Sequence, residues 1–140
     1  MFLIASIAAK ENRLFATIDS PRAFLNSDMP LEGSHTVFMR LNKYLTGVLI
    51  SIDKSHMKYV NDKGTCIVKL KKALHGCVES AKLWYDKISQ DLSVLRYTAN
   101  AYDMCVFNRI ENSESLTTLI IHVDDMMISC CNDKYVDMVL

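Results

Sequence analysis

Leu119-Ile120-Ile121-His122-Val123-Asp124-Asp125-Met126-Met127-Ile128 is the stretch that decides the fold. Two adjacent carboxylates interrupt an apolar, β-prone run that offers them no opposite charge. Taking an ionised carboxylate out of water without a partner is costly, so such groups are paired, hydrated or metal-bound. At ~4 Å and an effective dielectric near ~20, two like charges repel by about 4 kcal/mol. A divalent cation would remove that repulsion. A solvated hairpin turn would also accommodate the pair, because Asp is a common turn residue. Within this window the two readings are evenly matched. Consecutive strand residues face opposite ways, so Asp124 and Asp125 act together only if the turn falls on them, at the tip of a β-strand–turn–β-strand.

A second carboxylate has a similar setting. Asp19 ends the apolar run Leu14-Phe15-Ala16-Thr17-Ile18 and is followed five residues later by Phe24. If both strands share a sheet, Asp19 and Asp124 converge. Convergent carboxylates are what two Mg²⁺ ions at ~3.5–4 Å separation need for in-line phosphoryl chemistry. From spacing alone, the opening of an Asp-Ser-Pro turn is the somewhat better reading of Asp19.

Further from these carboxylates the pattern is α+β. Residues 1–10 predict a short apolar helix, and Val37–Leu41 and Thr65–Leu70 predict strands. The segment 42–62 is ambiguous, with a helix around Tyr44–Ile52. Ala81, Trp84, Ile88, Leu92 and Leu95 recur at helical spacing, which predicts a helix over 80–95 with Ser80 as its N-cap. Met104–Ile110, Leu116–Val123 and Met126–Cys130 then predict antiparallel strands, and Asn132-Asp133 a cap for a last helix. Strands, a helix and more strands do not make a doubly wound βαβ fold.

Composition narrows the function classes. At 140 residues and 50% hydrophobic content the chain can build one cored domain, and its two prolines and four glycines argue against disorder. The sixteen basic and sixteen acidic residues cancel, whereas a free-standing nucleic-acid binder carries a basic excess. The five cysteines, Cys66, Cys77, Cys105, Cys130 and Cys131, include no C-x-x-C pair, so zinc spacing is absent and reduced, mostly buried thiols are expected. The apolar run 2–9 lacks a positive n-region and is too short to span a bilayer. With no targeting signal and no membrane segment, an intracellular protein, cytoplasmic or nuclear, is expected.

Four segments then pass from generic to recognisable. Asp19-Ser20-Pro21-Arg22-Ala23-Phe24-Leu25-Asn26 resembles the D-(V/I)-K-x-A-(F/Y)-L-N segment of reverse transcriptases of the Ty1/copia retrotransposon class. Leu70-Lys71-Lys72-Ala73-Leu74-His75-Gly76, continuing through Ser80 to Trp84-Tyr85, is similar to L-K-K-(S/A)-L-Y-G…S-x-x-x-W-Y. Tyr102-Asp103-Met104-Cys105-Val106-Phe107 resembles A-D-P-C-V-(F/Y), and His122–Ile128 resembles Y-V-D-D-(M/L)-L-I. The motifs stand in the family's order and cover most of the chain.

The resemblance implies a polymerase palm: an antiparallel sheet with helices packed on one face, incomplete, with part of the fingers. It implies two-metal nucleotidyl transfer by an RNA-directed DNA polymerase. Asp19, Asp124 and Asp125 would be catalytic and hold two Mg²⁺ ions, with Mn²⁺ as a substitute. Arg22 and Ala23 would hold the triphosphate through backbone N–H groups, Phe24 would be the sugar gate, and Gly76 would let nucleotide and template approach closely. His122, Lys71 and Lys72 are candidate primer or template contacts. The implied partners are an RNA or DNA template-primer and a deoxynucleoside triphosphate, with missing polymerase segments or a second copy as further partners. Each residue also has a plainer reading: Phe24 as core, Gly76 as a turn, Trp84 and Tyr85 as core and rim, the lysines as a solvated face. The chain departs from the family pattern at His122, at Ser20-Pro21-Arg22 and at Ala81. The family's basic finger residues, its thumb and its RNase H domain would lie outside residues 1–140. The expectation is therefore a truncated remnant with little activity alone. The alternatives are a non-catalytic binding module or a degenerate open reading frame derived from the palm.

Overall fold

The computed structural model describes residues 2–33, 35–111 and 115–131. In chain order, helix α1 (Phe2–Lys10), strand β1 (Leu14–Asp19) and a 3-10 turn (Ala23–Asn26) come first. Strand β2 (Phe38–Leu41), helix α2 (Lys43–Ile52), a second 3-10 segment (Lys54–Tyr59) and strand β3 (Cys66–Lys69) follow. Helix α3 (Ser80–Val94) and strands β4 (Thr98–Ala99), β5 (Val106–Glu111), β6 (Ser115–His122) and β7 (Asp125–Cys130) complete the described elements. Among the described residues the fold is α+β, with a five-stranded antiparallel sheet in the order β1-β7-β6-β5-β4 and a separate β2-β3 ribbon.

The apolar run that opened the sequence reading is the middle of this sheet. On β6, Thr117 through Ile121 are all buried, which alternation cannot produce and only a strand covered on both faces shows. On one face Leu119 and Ile121 join Phe107, and α3 lays Leu92 over them with Tyr85 and Ile88 at the margin. The other face is bordered by α1. Ile4 and Ile7 share a cavity of about 260 Å³ with Val106, Asn108, Leu116 and Thr118. Arg13 fixes the end of this helix, donating to the Leu116 carbonyl at 3.1 Å. Helices thus sit against both faces, where the palm resemblance implied one. The reason is local: α1 is apolar nearly all round and meets the sheet face that α3 leaves open.

Strand β1 is the sheet edge, and it is half-exposed along its length. α3 has the predicted apolar face and a solvated one, where Lys82–Asp86 (2.5 Å) and Lys87–Asp91 (2.6 Å) form i,i+4 ion pairs. Exposed pairs of this kind contribute a few tenths of a kcal/mol each (~0.3–0.5). Ser80 is not the N-cap. Glu79 holds that position without a capping bond, and the Ser80 hydroxyl donates instead to the Leu74 carbonyl at 2.6 Å. α2 does have its cap, with Asn42 Oδ1 accepting from the Leu45 N–H at 2.9 Å.

The ribbon is tied to the sheet through a small core of Met29, Leu70 and Ala73, with Phe24, Leu74 and Leu83 packed on it. Met29 N–H donates to Lys71 O and Ala73 N–H to Ser27 O, each at 3.0 Å. This core joins the segment after β1 to the segment before α3, so two of the four sequence motifs meet here. Cys66 and Cys130 are buried and Cys77 half-buried, but Cys105 and Cys131 are exposed. The final helix expected after Asn132 lies outside the described residues, as do residues 112–114.

Leu119 is 1% exposed at the centre of the larger core, whereas Val94 on α3 is 83% exposed. Leu119→Ala is expected to destabilise by about 2–5 kcal/mol in urea unfolding. Val94→Ala is expected to stay within about 0.5 kcal/mol of the parent. Equal midpoints for the two variants would contradict the packing described.

Candidate functional site

β6 and β7 pair so that His122 stands opposite Asp125, leaving a two-residue loop of Val123 and Asp124. Two-residue hairpins follow the sheet's twist only if a loop residue takes positive φ. Here it is Val123, at φ +60°. A β-branched residue is strained there, by about 1–3 kcal/mol. The turn therefore falls one residue earlier than the pair itself: Asp124 is in the loop, and Asp125 is the first residue of β7.

Asp125 has a second neighbour. It is in register with Asp19, the last residue of β1, so His122, Asp125 and Asp19 form one cross-strand row on one sheet face. Asp124 is held to the same place through the backbone, its carbonyl accepting from the Ser20 N–H at 2.9 Å. The three carboxylates thus gather at one end of the sheet. Sequence reasoning paired Asp19 with Asp124; the structure sets Asp19 directly across from Asp125 and joins it to Asp124 through Ser20. Like charges directly opposite each other across strands are destabilising. Among the described residues, none of these carboxylates has an ion pair or side-chain hydrogen bond.

Two cavities meet this end of the sheet. Asp19 and Asp125 line one of about 340 Å³ with Thr17, Ile18, Met126 and Met127. Asp124 lines another of about 280 Å³ with Arg22, Ala23, Phe24, Leu25, Leu74 and His75. No group of three His, Cys, Asp or Glu residues arranged to hold a metal occurs among the described residues. The donor chemistry nonetheless fits a hard divalent cation, which takes carboxylate oxygens. Asp19, Asp124 and Asp125 are all exposed, so a cation could reach them from solvent.

The second cavity brings together most of the residues the sequence offered for nucleotide binding. Arg22 has left-handed backbone (φ 60°, ψ 36°) at the start of the 3-10 turn, and its guanidinium has no ion pair among the described residues. The Ala23 N–H already donates to Ser20 O at 3.2 Å. The Phe24 ring is tilted 47° against His75 at a centroid distance of 5.6 Å. His75 was not among the residues singled out by sequence; the signal available was its place beside Gly76, where the family motif has an aromatic. Gly76 itself does not line the cavity. Its φ is +93°, and a side chain there would meet nothing within 4 Å. The positive φ alone calls for glycine at this position. Lys72 is engaged with Asp28 at 2.7 Å, and the Lys69 ammonium with the Leu31 carbonyl. Lys71 stays exposed, as does His122.

Behind the hairpin lies Trp84, 5% exposed, whose indole Nε1–H donates to the Val123 carbonyl at 2.6 Å. Helical spacing marked Trp84 as core. The missed signal was that a buried indole N–H needs an acceptor.

The profile of a family described as reverse transcriptase (RNA-dependent DNA polymerase) matches residues 1–139. The chain belongs to the reverse transcriptase family. It is also similar to the retrovirus-related Pol polyprotein from transposon TNT 1-94 of Nicotiana tabacum, with 26% identity over 125 residues. That alignment takes in 89% of this chain and 8% of the relative, so the chain spans a small part of the polyprotein's length. No solved structure matches the chain. The Ty1/copia-type resemblance of the four motifs is thereby upheld, and the reverse transcriptase motifs at Asp19 and at Asp124-Asp125 are the segments that β1 and the β6–β7 hairpin bring together.

In metal-free protein, Asp125→Asn should raise the thermal midpoint at low ionic strength. Relief of a cross-strand like-charge contact stabilises by about 0.2–1 kcal/mol, and salt should shrink the gain. Thermal unfolding in chelator, at low and high NaCl, measures it. An unchanged or lower midpoint at low salt would mean that Asp19 and Asp125 do not repel.

Proposed function

We propose that this chain carries the metal and nucleotide site of an RNA-directed DNA polymerase of the Ty1/copia class. The observation that carries this reading is the placement of Asp19, Asp124 and Asp125 at one sheet end without a protein counter-charge. Asp19 and Asp125 would hold divalent cations from the paired strand ends, and Asp124 from the loop. Bound Mg²⁺, or Mn²⁺ in its place, would neutralise the charge that develops on a transferring phosphoryl group and lower the pKa of an attacking hydroxyl.

The chain's own residues do the positioning. The Arg22 guanidinium and N–H, on the wall of the cavity that Asp124 also lines, suit a triphosphate. Phe24 presents a ring to that cavity, where a flat face under the incoming sugar would clash with a 2′-hydroxyl and favour deoxynucleotides. His75 lies beside that ring, 5.6 Å between centroids. His122, exposed on the carboxylate row, and Lys71 would contact primer or template. The net charge of zero supplies little of the electrostatic grip on template that phosphate backbones call for. Metal binding is therefore the first property to expect of this chain, and polymerisation the second.

A second reading has one observation in its favour. Phe38 (62%), Tyr44 (76%), Ile52 (79%) and Val78 (92%) are exposed, which suits a module that associates through an apolar surface without catalysis.

Mn²⁺ is expected to broaden resonances of residues around Asp19, Asp124 and Asp125 selectively, and Asp124→Asn to weaken that effect. On an RNA template with a DNA primer, any incorporation should fall at least about hundredfold in Asp124→Asn, the scale of losing several kcal/mol of metal stabilisation. Phe24→Ala should raise ribonucleotide use relative to deoxynucleotide use. Folded protein with no localised broadening would sink the metal reading. Metal binding without extension, and a partner-bound state in light scattering, would favour the second.

A further inference from the structure

We infer that Trp84 is a positioning residue for the carboxylate hairpin, acting through the Val123 carbonyl; the inference rests on the metal-site reading above. Val123 and Asp124 form the loop, so the position of the Asp124 carboxylate follows the orientation of the two peptide planes on either side of it. The plane before Asp124 carries the Val123 carbonyl, which accepts from the Trp84 indole at 2.6 Å. The plane after it carries the Asp124 carbonyl, which accepts from Ser20 N–H at 2.9 Å. Two consecutive peptides at the tip are thus held by donors from two different elements, α3 on one side and the end of β1 on the other. Neither donor touches a carboxylate.

The clamp acts where the backbone most needs it. Val123 sits at φ +60°, a conformation costing a β-branched residue about 1–3 kcal/mol. An intramolecular hydrogen bond such as this part-buried one returns about 0.5–1.5 kcal/mol, so the two are of the same size and the bond can decide whether the turn stays in this form. Packing gives little other support, because Val123 is 45% exposed and a cavity of about 170 Å³ lies between it, Trp84 and Phe24. Trp84 itself is buried and anchored on α3, which the core under Leu92 holds in place. A merely structural Trp84 would fill the core and nothing more; a clamp must show itself as coupling to the φ of Val123.

Trp84 is the chain's single tryptophan, so one indole resonance reports on it and an analogue can replace it alone. In metal-free full chain, loss of the donor through Trp84→Phe, or through a benzothiophene analogue of equal shape, should speed amide exchange about tenfold at Ser20, whose N–H donates to the Asp124 carbonyl, and at Asp125, which closes the hairpin. The rest of β6 and β7 should keep its rates. In Val123→Gly, which takes positive φ freely, the same loss should change those amides less than about twofold. Mn²⁺ affinity should follow the same pattern. Acceleration spread over the whole sheet, or an equal effect in both backgrounds, would overturn the clamp. Should Trp84→Phe fail to fold, the analogue alone decides. If wild type shows no Mn²⁺ broadening while local exchange behaves as described, the clamp stands and the metal reading falls.

Discussion

The hydrogen bond from the Trp84 indole to the Val123 carbonyl is the contact on which the site's geometry depends. A two-residue hairpin needs positive φ, and this one places it on a β-branched residue. Nothing intrinsic to Val123 favours that conformation. What favours it lies on α3, 39 residues earlier in the chain. The hairpin, the helix and the core between them are therefore one mechanical unit, and the acidic tip is only as well placed as the helix behind it.

Electrostatics gives the tip its character. Asp19 faces Asp125 across the strands, Asp124 is drawn in by Ser20, and no basic side chain answers them among the described residues. Folding alone gains nothing from such an arrangement. A turn that merely reversed the chain would use Asn-Gly or a similar pair and leave the facing strand neutral. The carboxylate end lies beside a cavity lined by Arg22, Phe24 and His75, the two rings tilted 47° to one another.

Much of the fold was legible from the residues. The apolar period of α3, the continuous run of β6 and the turn signal at Asp19 each marked a real feature, because each states a local physical preference. Legibility ended where the preference was not local. The 3-10 turn at Ala23–Asn26 and the short β4 have no periodicity to read, and they exist through contacts with α3 and β5. Ser80 looked like a helix cap by residue type, yet its hydroxyl found the Leu74 carbonyl instead. His75 gave no sign of its own that it would meet Phe24.

By itself the sequence determined which residues carry charge, which faces are apolar and which motifs stand in order, since these follow from composition and spacing. That was enough for the α+β class, for Asp19, Asp124 and Asp125 as the residues to watch, and for the family resemblance. Register and distance belong to the tertiary structure. Only the pairing of β1 with β7 could set Asp19 against Asp125 rather than Asp124, because a shift of one residue turns every side chain to the other face. Only the packing of α3 could bring an indole N–H to the back of the turn, since a helix's contacts across 39 residues are fixed by the core it shares and not by the sequence between.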